Sequence, residues 1–344
     1  MHHKIVALDA WHVPIPADLV QLLNGDTYEL KSHHTRPTST KDIQASVKDA
    51  TIIAITVSPL DAETLSPECT PNLRLVLAVA SGTDPIDKQK CKERGIRVLN
   101  SPNANSDSVA EHVLALYFAS RRRLLRVHNS VLGSDEWPKR GTLTHLMNSV
   151  DGQLPLTCRD EVVGVVGNGA VGQRVAALCR GLGMTVMISS RKGATDASNA
   201  DGRVSFTEVL ARSTVLVLCV PRNPDTVGLL STAEFAAMSP KTILINVSRG
   251  GIVDEIALLQ ALREGKLSGA ATDVFLREPS GAGQHWQEGD SPLLKLDAAE
   301  ADDLNLVVTP HVAWYTTSTI NGYLRAFKQN IEHWCEGKET NIVV

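Results

Sequence analysis

Residues 161–192 read EVVGVVGNGAVGQRVAALCRGLGMTVMISSRK, and the order of residue types in this stretch decides the fold. An apolar run at 162–166 meets Gly167, Gly169 and Gly172 in G-x-G-x-x-G spacing; an amphipathic run to Leu182 and a second apolar run at 185–189 follow. The order is strand, glycine turn, helix, strand. Gly167 permits the tight turn, Gly169 lets backbone approach a pyrophosphate, and Gly172 lets the helix pack against the sheet. The helix N-terminus then presents free N–H groups and the positive end of its dipole to phosphate oxygens. With Asn168, Ala170 and Val171 between the glycines, the stretch predicts a dinucleotide cradle in a Rossmann-type α/β domain.

The end of the second strand bears on which dinucleotide fits. A carboxylate usually stands there, about 20 residues past the first glycine, to hold a ribose 2′-hydroxyl. Here the residues are Ser189, Ser190, Arg191 and Lys192. No acid is present to repel a 2′-phosphate, Arg191 offers a planar fork to one, and Lys192 adds charge. The corner reads as NADP (NADPH), with NAD bound less tightly.

The whole composition fits this domain type. At 344 residues the chain is long enough for two domains. Its 43% apolar and 21% charged residues are globular proportions, and a net charge of −4 gives no electrostatic case for nucleic acid or an anionic membrane. The one dense basic cluster, Arg121 to Arg123, reads as a solvated or inter-domain helix end. Six cysteines at 69, 91, 158, 179, 219 and 335 lack C-x-x-C spacing, which points to buried thiols in a reducing compartment without disulfides or a zinc site. His2 and His3 alone argue for no metal. A strand starts almost at the first residue and no apolar run approaches membrane-spanning length, so a cytoplasmic protein without a leader is expected.

In chain order the alternation begins at once. Apolar runs at 5–8, 51–57, 73–80 and 96–99 read as strands, with helices at 17–23, 41–48 and 86–94. Continuous runs such as TIIAITV suit strands of a parallel sheet buried on both faces. The segment NSPNAN at 100–105 reads as a hinge, and Ser106 or Asp107 as the cap of one long helix through Arg126. Beyond the cradle, strands are expected at 214–220, 242–247, 268–273 and 306–309, with helices at 206–211, 232–238 and 254–264. A final helix at 319–335 is expected to cross back to the first domain. The boundaries are thus 1–103 with 317–344 for a flavodoxin-like substrate domain, and 104–316 for the inserted Rossmann domain.

Three strand ends of the second domain carry unlike polar residues. Ser248-Arg249-Gly250-Gly251 follows one strand, Phe275, Glu278 and Pro279 the next, and Pro310-His311 the last. In a parallel sheet these ends share the carboxyl edge, where the ligand crevice forms. Hydride transfer to a 2-oxo acid needs a cation for the carboxylate and carbonyl, and a proton donor for the oxygen that becomes an alcohol. Arg249 suits the first role, and His311, oriented by Glu278, the second. Val220, Pro221, Val247 and Ser248, at the ends of two of the middle strands, complete the expected cofactor contacts.

These residues carry a resemblance. INVSRGGIVDE (245–255), ATDVFLREP (271–279) and TPHVAWYT (309–316), with the fingerprint GNGAVG, closely resemble the NAD(P)-dependent D-2-hydroxyacid dehydrogenases. NSPNANSDSVAEH (100–112) is similar to that family's hinge and VASGTDPID (79–87) to its substrate-carboxylate loop. The resemblance implies Arg249, Glu278 and His311 as the catalytic set, backbone groups of Ala80, Ser81 and Gly82 on the substrate carboxylate, and Asp273 beside the nicotinamide. It also implies a homodimer and the D stereochemistry. Trp314, Trp11 and His12 are candidate walls for the substrate side chain, and aromatic walls would favour a bulky 2-oxo acid over glyoxylate.

Two departures from the family pattern stand out. The acidic corner is missing, as described, and the stretch 280–305 is longer than usual, with glycines and acids that read as a mobile loop. Glu278 argues against the formate-oxidising branch, which carries Gln there. HVAWYT with RGGIVDE is also similar to the C-terminal binding proteins, so a nucleotide-sensing co-repressor is the rival reading; the absence of a long polar tail and of a basic localisation run weighs against it.

Overall fold

The computed structural model describes all residues except 23, 24, 36, 38, 150, 151, 195–201, 280–284, 286 and 288. Two compact units result. One holds Met1–Asn105, Pro279, His285 and Tyr315–Val344; the other holds Ser106–Glu278 and, among the described residues that follow, 287 and 289–314.

The first unit is built from β1 (His2–Ala7), β2 (Thr27–Ser32), α1 (Thr40–Val47), β3 (Ile52–Ile55), β4 (Leu75–Ala78), α2 (Lys88–Arg94) and β5 (Arg97–Leu99). Its strands are all parallel in the order β2-β1-β3-β4-β5, the flavodoxin-like arrangement. Every residue of β3 and β4 is buried, as their unbroken apolar runs require. Strand β2 was not expected. Its TYELKS sequence alternates exposed and half-buried residues at the sheet edge, so it lacks an apolar run.

No helix forms over 17–22, where one was expected; residue 23 lies outside the described residues. Pro14 and Pro16 restrict the backbone before it. The Tyr28 hydroxyl donates to the carbonyls of Ala17 (2.7 Å) and Val20 (3.1 Å), holding the chain in a different path. Past β1, the buried Asp9 carboxylate accepts the N–H groups of Thr56, Val57 and Ser58 at 2.8–2.9 Å, which fixes the loop at the carboxyl end of β3.

The second unit opens with α3 (Ser106–Arg121), α4 (Leu124–Gly133) and α5 (Glu136–Arg140). The single helix expected through Arg126 is therefore broken. Arg123 adopts φ +45°, and the basic cluster is no solvated helix end: Arg121 and Arg123 are both buried. The Arg121 Nε donates to Glu161 Oε1 at 2.6 Å and its Nη2 to Glu161 Oε2 at 3.0 Å and the Thr214 carbonyl at 2.9 Å. A buried charge needs such partners, and turning the chain at Arg122–Arg123 is how α3 delivers Arg121 to them.

Then come β6 (Val162–Val166), α6 (Ala170–Gly181), β7 (Thr185–Ile188), α7 (Phe206–Arg212), β8 (Val215–Leu218), α8 (Thr232–Ala237), β9 (Ile243–Asn246), α9 (Glu255–Arg263), β10 (Gly269–Thr272), α10 (Ala298–Asp303) and β11 (Leu306–Val308). The six strands are parallel in the order β11-β10-β9-β8-β6-β7. Beyond β7 one further parallel bridge joins Ser189 to Val204, with Ser190 N–H on the Val204 carbonyl at 2.8 Å and Val204 N–H on the Ile188 carbonyl at 2.9 Å. Counting that bridge as a vestigial third strand gives the Rossmann sequence 3-2-1-4-5-6 followed by a seventh. Alternate residues of β8 feed opposite cores: Val215 and Val217 pack with α3 and α6, Leu216 and Leu218 with α7, α8 and α9.

The stretch 280–305 is not a loop throughout. Its later part contains α10, capped by Asp297 on the Glu300 N–H at 2.8 Å and tied to α9 by Arg263–Glu300 at 2.6 Å. The chain ends in α11 (Thr317–Cys335), which belongs to the first unit; Asn330 Nδ2 donates to the Asn100 carbonyl at 2.8 Å. All six cysteines are free thiols; Cys179 is buried and its thiol is pushed up to about 11 by that burial, while Cys219, just past β8, is half-buried.

Candidate active site

The glycine turn shows why two of its glycines are needed. Gly167 has φ +111°, and a Cβ there would stand 2.4 Å from the Cys219 carbonyl oxygen; a Cβ on Gly172 would stand 2.1 Å from the Gly167 oxygen. Gly169 differs, with nothing within 4 Å of a Cβ position. It is the N-cap of α6 and no side chain caps that helix, so the first-turn N–H groups face an open, backbone-lined space. Asn168, Gly169 and Ala170 are exposed and Val171 is half-buried. The donors and the room fit a pyrophosphate.

Val220 and Pro221 follow β8 beside Gly167, and Val247 and Ser248 follow β9, both buried. At the end of β7, Ser190 is buried and Arg191 exposed. Lys192 departs from expectation. Its Nζ pairs with Glu234 Oε1 at 2.8 Å and donates to the Leu229 carbonyl at 3.3 Å, so its charge is already matched within the protein. Glu234 is itself held by the Ser231 capping box of α8. Burial raises its carboxyl, yet Lys192 and the Ser231 N–H hold it below the ordinary glutamate value.

At the carboxyl edge of β9, β10 and β11 the expected three residues meet. Asn246, buried, accepts the Ser248 N–H (3.1 Å) and hydroxyl (2.8 Å) and donates to the Arg249 carbonyl (3.3 Å), which shapes the turn. A Cβ on Gly250 would lie 1.7 Å from the Phe275 carbonyl oxygen. The loop after β9 thus rests directly on the loop after β10, and half-buried Arg249 is close enough for its charge to act on Glu278. Glu278 Oε1 accepts the Phe275 N–H at 2.9 Å, and Oε2 meets His311 Nδ1 at 2.7 Å. Burial pushes the Glu278 carboxyl up, but its hydrogen bond with His311, the His311 and Arg249 charges and the Phe275 N–H outweigh it, and the group stays below the ordinary glutamate value.

His311 has φ +55°, a left-handed conformation that needs support. Asp273 supplies it. Its backbone carbonyl accepts the His311 N–H at 2.8 Å, while its buried carboxylate accepts the Thr309 hydroxyl (2.6 Å) and the N–H groups of Val312 (2.9 Å) and Ala313 (2.9 Å). Thr309 Oγ1 in turn meets His112 Nε2 of α3 at 3.0 Å. Asp273, expected beside the nicotinamide, spends these bonds on the loop that carries His311. Thr309, Asn246 and His112 all lie in family-like segments, but nothing in the residue pattern marks them as supports. Trp314 donates its indole N–H to the His311 carbonyl at 3.1 Å.

Ala80, Ser81 and Gly82 belong to the first unit, just past β4. Ser81 Oγ lies 2.9 Å from Asn105 Oδ1 and 3.1 Å from the Ser101 carbonyl, and Asn100 Nδ2 donates to the Ser81 carbonyl at 2.8 Å. Trp11, also in this unit, packs its ring on His12 with centroids 3.5 Å apart.

A nucleotide cradle and an Arg, Glu and His at the carboxyl edge of one parallel sheet define a dinucleotide-dependent oxidoreductase. The model of the D-isomer specific 2-hydroxyacid dehydrogenase NAD-binding domain matches residues 114–313, and this chain belongs to that family. A glycerate dehydrogenase of Methylorubrum extorquens is 34% identical over 304 residues, 88% of each chain. Among solved structures, a D-lactate dehydrogenase from Aquifex aeolicus, complexed with NAD and lactic acid, has TM-score 0.77 at 25% identity over 99% of both chains. The acyclic imino acid reductase Bsp5, in complex with NADPH and D-Arg, has TM-score 0.74 at 25% identity, covering 99% of this chain and all of that one. Among the described residues no helix is long and apolar enough to cross a membrane.

Proposed function

We propose that the protein reduces 2-oxo acids to D-2-hydroxy acids with NADPH. The Glu278–His311 pair beside Arg249, at the same sheet edge as the α6 cradle, carries this reading. Bound in that cradle, a reduced nicotinamide supplies the hydride. Arg249, permanently cationic, holds the substrate carboxylate and polarises the carbonyl oxygen. His311 gives a proton to that oxygen from the ring nitrogen opposite Nδ1, which Glu278 holds. In the reverse direction the neutral ring takes the proton back. The first unit, through the backbone at Ala80, Ser81 and Gly82, is the substrate side, and the second unit the dinucleotide side.

The test is the initial rate of NADPH and NADH oxidation with hydroxypyruvate, pyruvate, glyoxylate and phenylglyoxylate. Rapid NADPH-preferring reduction supports the reading, and the order of the acids sets the substrate. Absence of turnover on every acid overturns it.

For the cofactor corner the support is the missing carboxylate and the exposed Arg191; Lys192, matched by Glu234, leaves that role to Arg191. Arg191→Asp is expected to raise KM for NADPH on the order of tenfold or more while changing that for NADH far less, since a charge-assisted fork contributes roughly 1.5–3 kcal/mol. Equal effects on both dinucleotides would remove the assignment.

The loop network has its own consequence. Thr309→Val keeps the shape of the side chain but breaks the link from Asp273 to His112. Expected is a fall in kcat of about ten- to a hundred-fold through displacement of His311, with dinucleotide Kd unchanged by fluorescence titration and kcat recovered in Thr309→Ser.

The homodimer reading is supported by α4 and α5. No residue of α4 is buried, and Leu124, Leu125, Leu132 and, on α5, Trp137 are each at least 45% exposed, an apolar surface that suits a second copy.

A further inference from the structure

We infer that His3, Asp26 and Cys335 form a binding site for a divalent cation of the zinc type, in the first unit and independent of the reaction above. His3 is on β1, Asp26 stands just before β2, and Cys335 is the last residue of α11. One donor atom from each lies within 4.8 Å of the other two.

Two of the three edges match a tetrahedral shell, and the third lies within 4.8 Å. Zinc–nitrogen and zinc–oxygen bonds of about 2.0–2.2 Å and a zinc–sulfur bond of about 2.3 Å imply ligand-to-ligand edges of roughly 3.4 Å for nitrogen–oxygen and roughly 3.6 Å for nitrogen–sulfur. The structure has His3 Nε2 at 3.4 Å from Asp26 Oδ2 and at 3.7 Å from Cys335 Sγ. The donor set, one thiol, one imidazole and one carboxylate, is that of zinc rather than of magnesium or calcium, which take oxygen shells.

Hydrogen bonding serves the cluster less fully. A ring nitrogen carries either one hydrogen or one lone pair, so an Nε2–H shared between the carboxylate and the sulfur serves each weakly. Nδ1 of the same ring is buried without a hydrogen-bond partner, so the ring's polar contacts are those at Nε2, while the Trp334 ring packs edge-on against it with centroids 5.5 Å apart. A cation between the three atoms takes the Nε2 lone pair, Asp26 Oδ2 and the sulfur at once. The other Asp26 oxygen, Oδ1, stays paired with the N-terminal ammonium of Met1, and the partly exposed side chain, 17%, leaves a fourth position for water.

Binding replaces the proton on sulfur by the metal: the Cys335 S–H bond breaks, a sulfur–metal bond forms, and one proton passes to solvent. No electron is transferred. The ion would tie the first strand to the end of the last helix, two segments that the sequence places at opposite ends.

The experiment uses the full chain without an affinity tag, stripped with chelator and titrated with Co²⁺, then Zn²⁺. Expected are one equivalent of cobalt per chain, a sulfur-to-cobalt charge-transfer band in the near ultraviolet, displacement of that band by zinc, and a higher Tm with zinc. Cys335→Ser loses the band. Asp26→Asn, which keeps the shape of the side chain and removes its charge, weakens cobalt binding on the order of tenfold or more. His2→Asn, on the neighbouring residue whose Nδ1 meets Thr27 Oγ1 at 2.8 Å, leaves binding unchanged. A wild-type chain without the band at stoichiometric cobalt, a band that survives Cys335→Ser, or one that vanishes in His2→Asn overturns the site.

Discussion

His311→Ala is expected to lower kcat for 2-oxo acid reduction by about 10²–10⁴-fold, the usual contribution of a placed proton donor, while the Kd for dinucleotide stays as it was. The separation follows from geometry. His311 reaches the cradle of α6 through no described hydrogen bond; its partners are Glu278, Asp273, Thr309 and Trp314, all on the loops after β10 and β11. Rapid-mixing kinetics with a separate binding titration distinguish the two quantities, and a variant with wild-type kcat would remove His311 from the reaction. Glu278→Gln tests the pair from the other side. Because the Glu278 carboxyl is held below its ordinary value, it remains ionised as pH falls past the range where a free glutamate takes up a proton. What its charge contributes to folding is therefore fully present above the unfolded value and is lost as pH drops through the lowered folded value. The acid limb of the wild-type unfolding curve should flatten in Glu278→Gln.

Arg121→Met is expected to destabilise the second unit by about 3–5 kcal/mol, because it leaves the Glu161 carboxylate buried without its cation. Glu161 accepts both Arg121 bonds, the Tyr117 hydroxyl at 3.1 Å and the Thr214 hydroxyl, and its side chain is fully buried. Tyr117 already feels this charge: burial, followed by the charge of Glu161, pushes its phenol up. Urea unfolding of the single variant against Arg121→Met with Glu161→Gln measures the coupling. The double variant should recover much of the loss, since a buried pair replaced as a whole costs far less than one broken in half. A single variant within about 0.5 kcal/mol of wild type would show that the pair is not held as described.

Why the sequence revealed some of this and hid the rest follows from the range over which each signal acts. The cradle was legible because its glycines answer local demands, and two of the three are the positions where a Cβ would strike backbone. Arg249, Glu278 and His311 were legible because parallel strands put their ends on one edge. The edge strand β2 was hidden because half its residues face solvent, and the expected helix is overruled over 17–22 by a tyrosine hydroxyl eight and eleven residues further on. Lys192 looked available until Glu234, distant in sequence, was found beside it. Arg121 read as surface because nothing within α3 announces Glu161, forty residues away. Asn246 acts through hydrogen bonds within its own turn, and Thr309 and His112 through hydrogen bonds across elements, which no periodicity records.

The bridge between Ser189 and Val204 has a bearing on how such an enzyme changes over generations. Beyond β7 the chain at Val204 is joined to the sheet by two backbone hydrogen bonds, whereas β6 has a full ladder on either side. Substitutions around Arg191 therefore disturb little of the architecture that holds the glycine turn or His311. Under the proposed function, choice of reductant is then free to drift along a lineage while the chemistry stays constrained, so descendants sharing one reaction can draw on different cellular pools of reducing power.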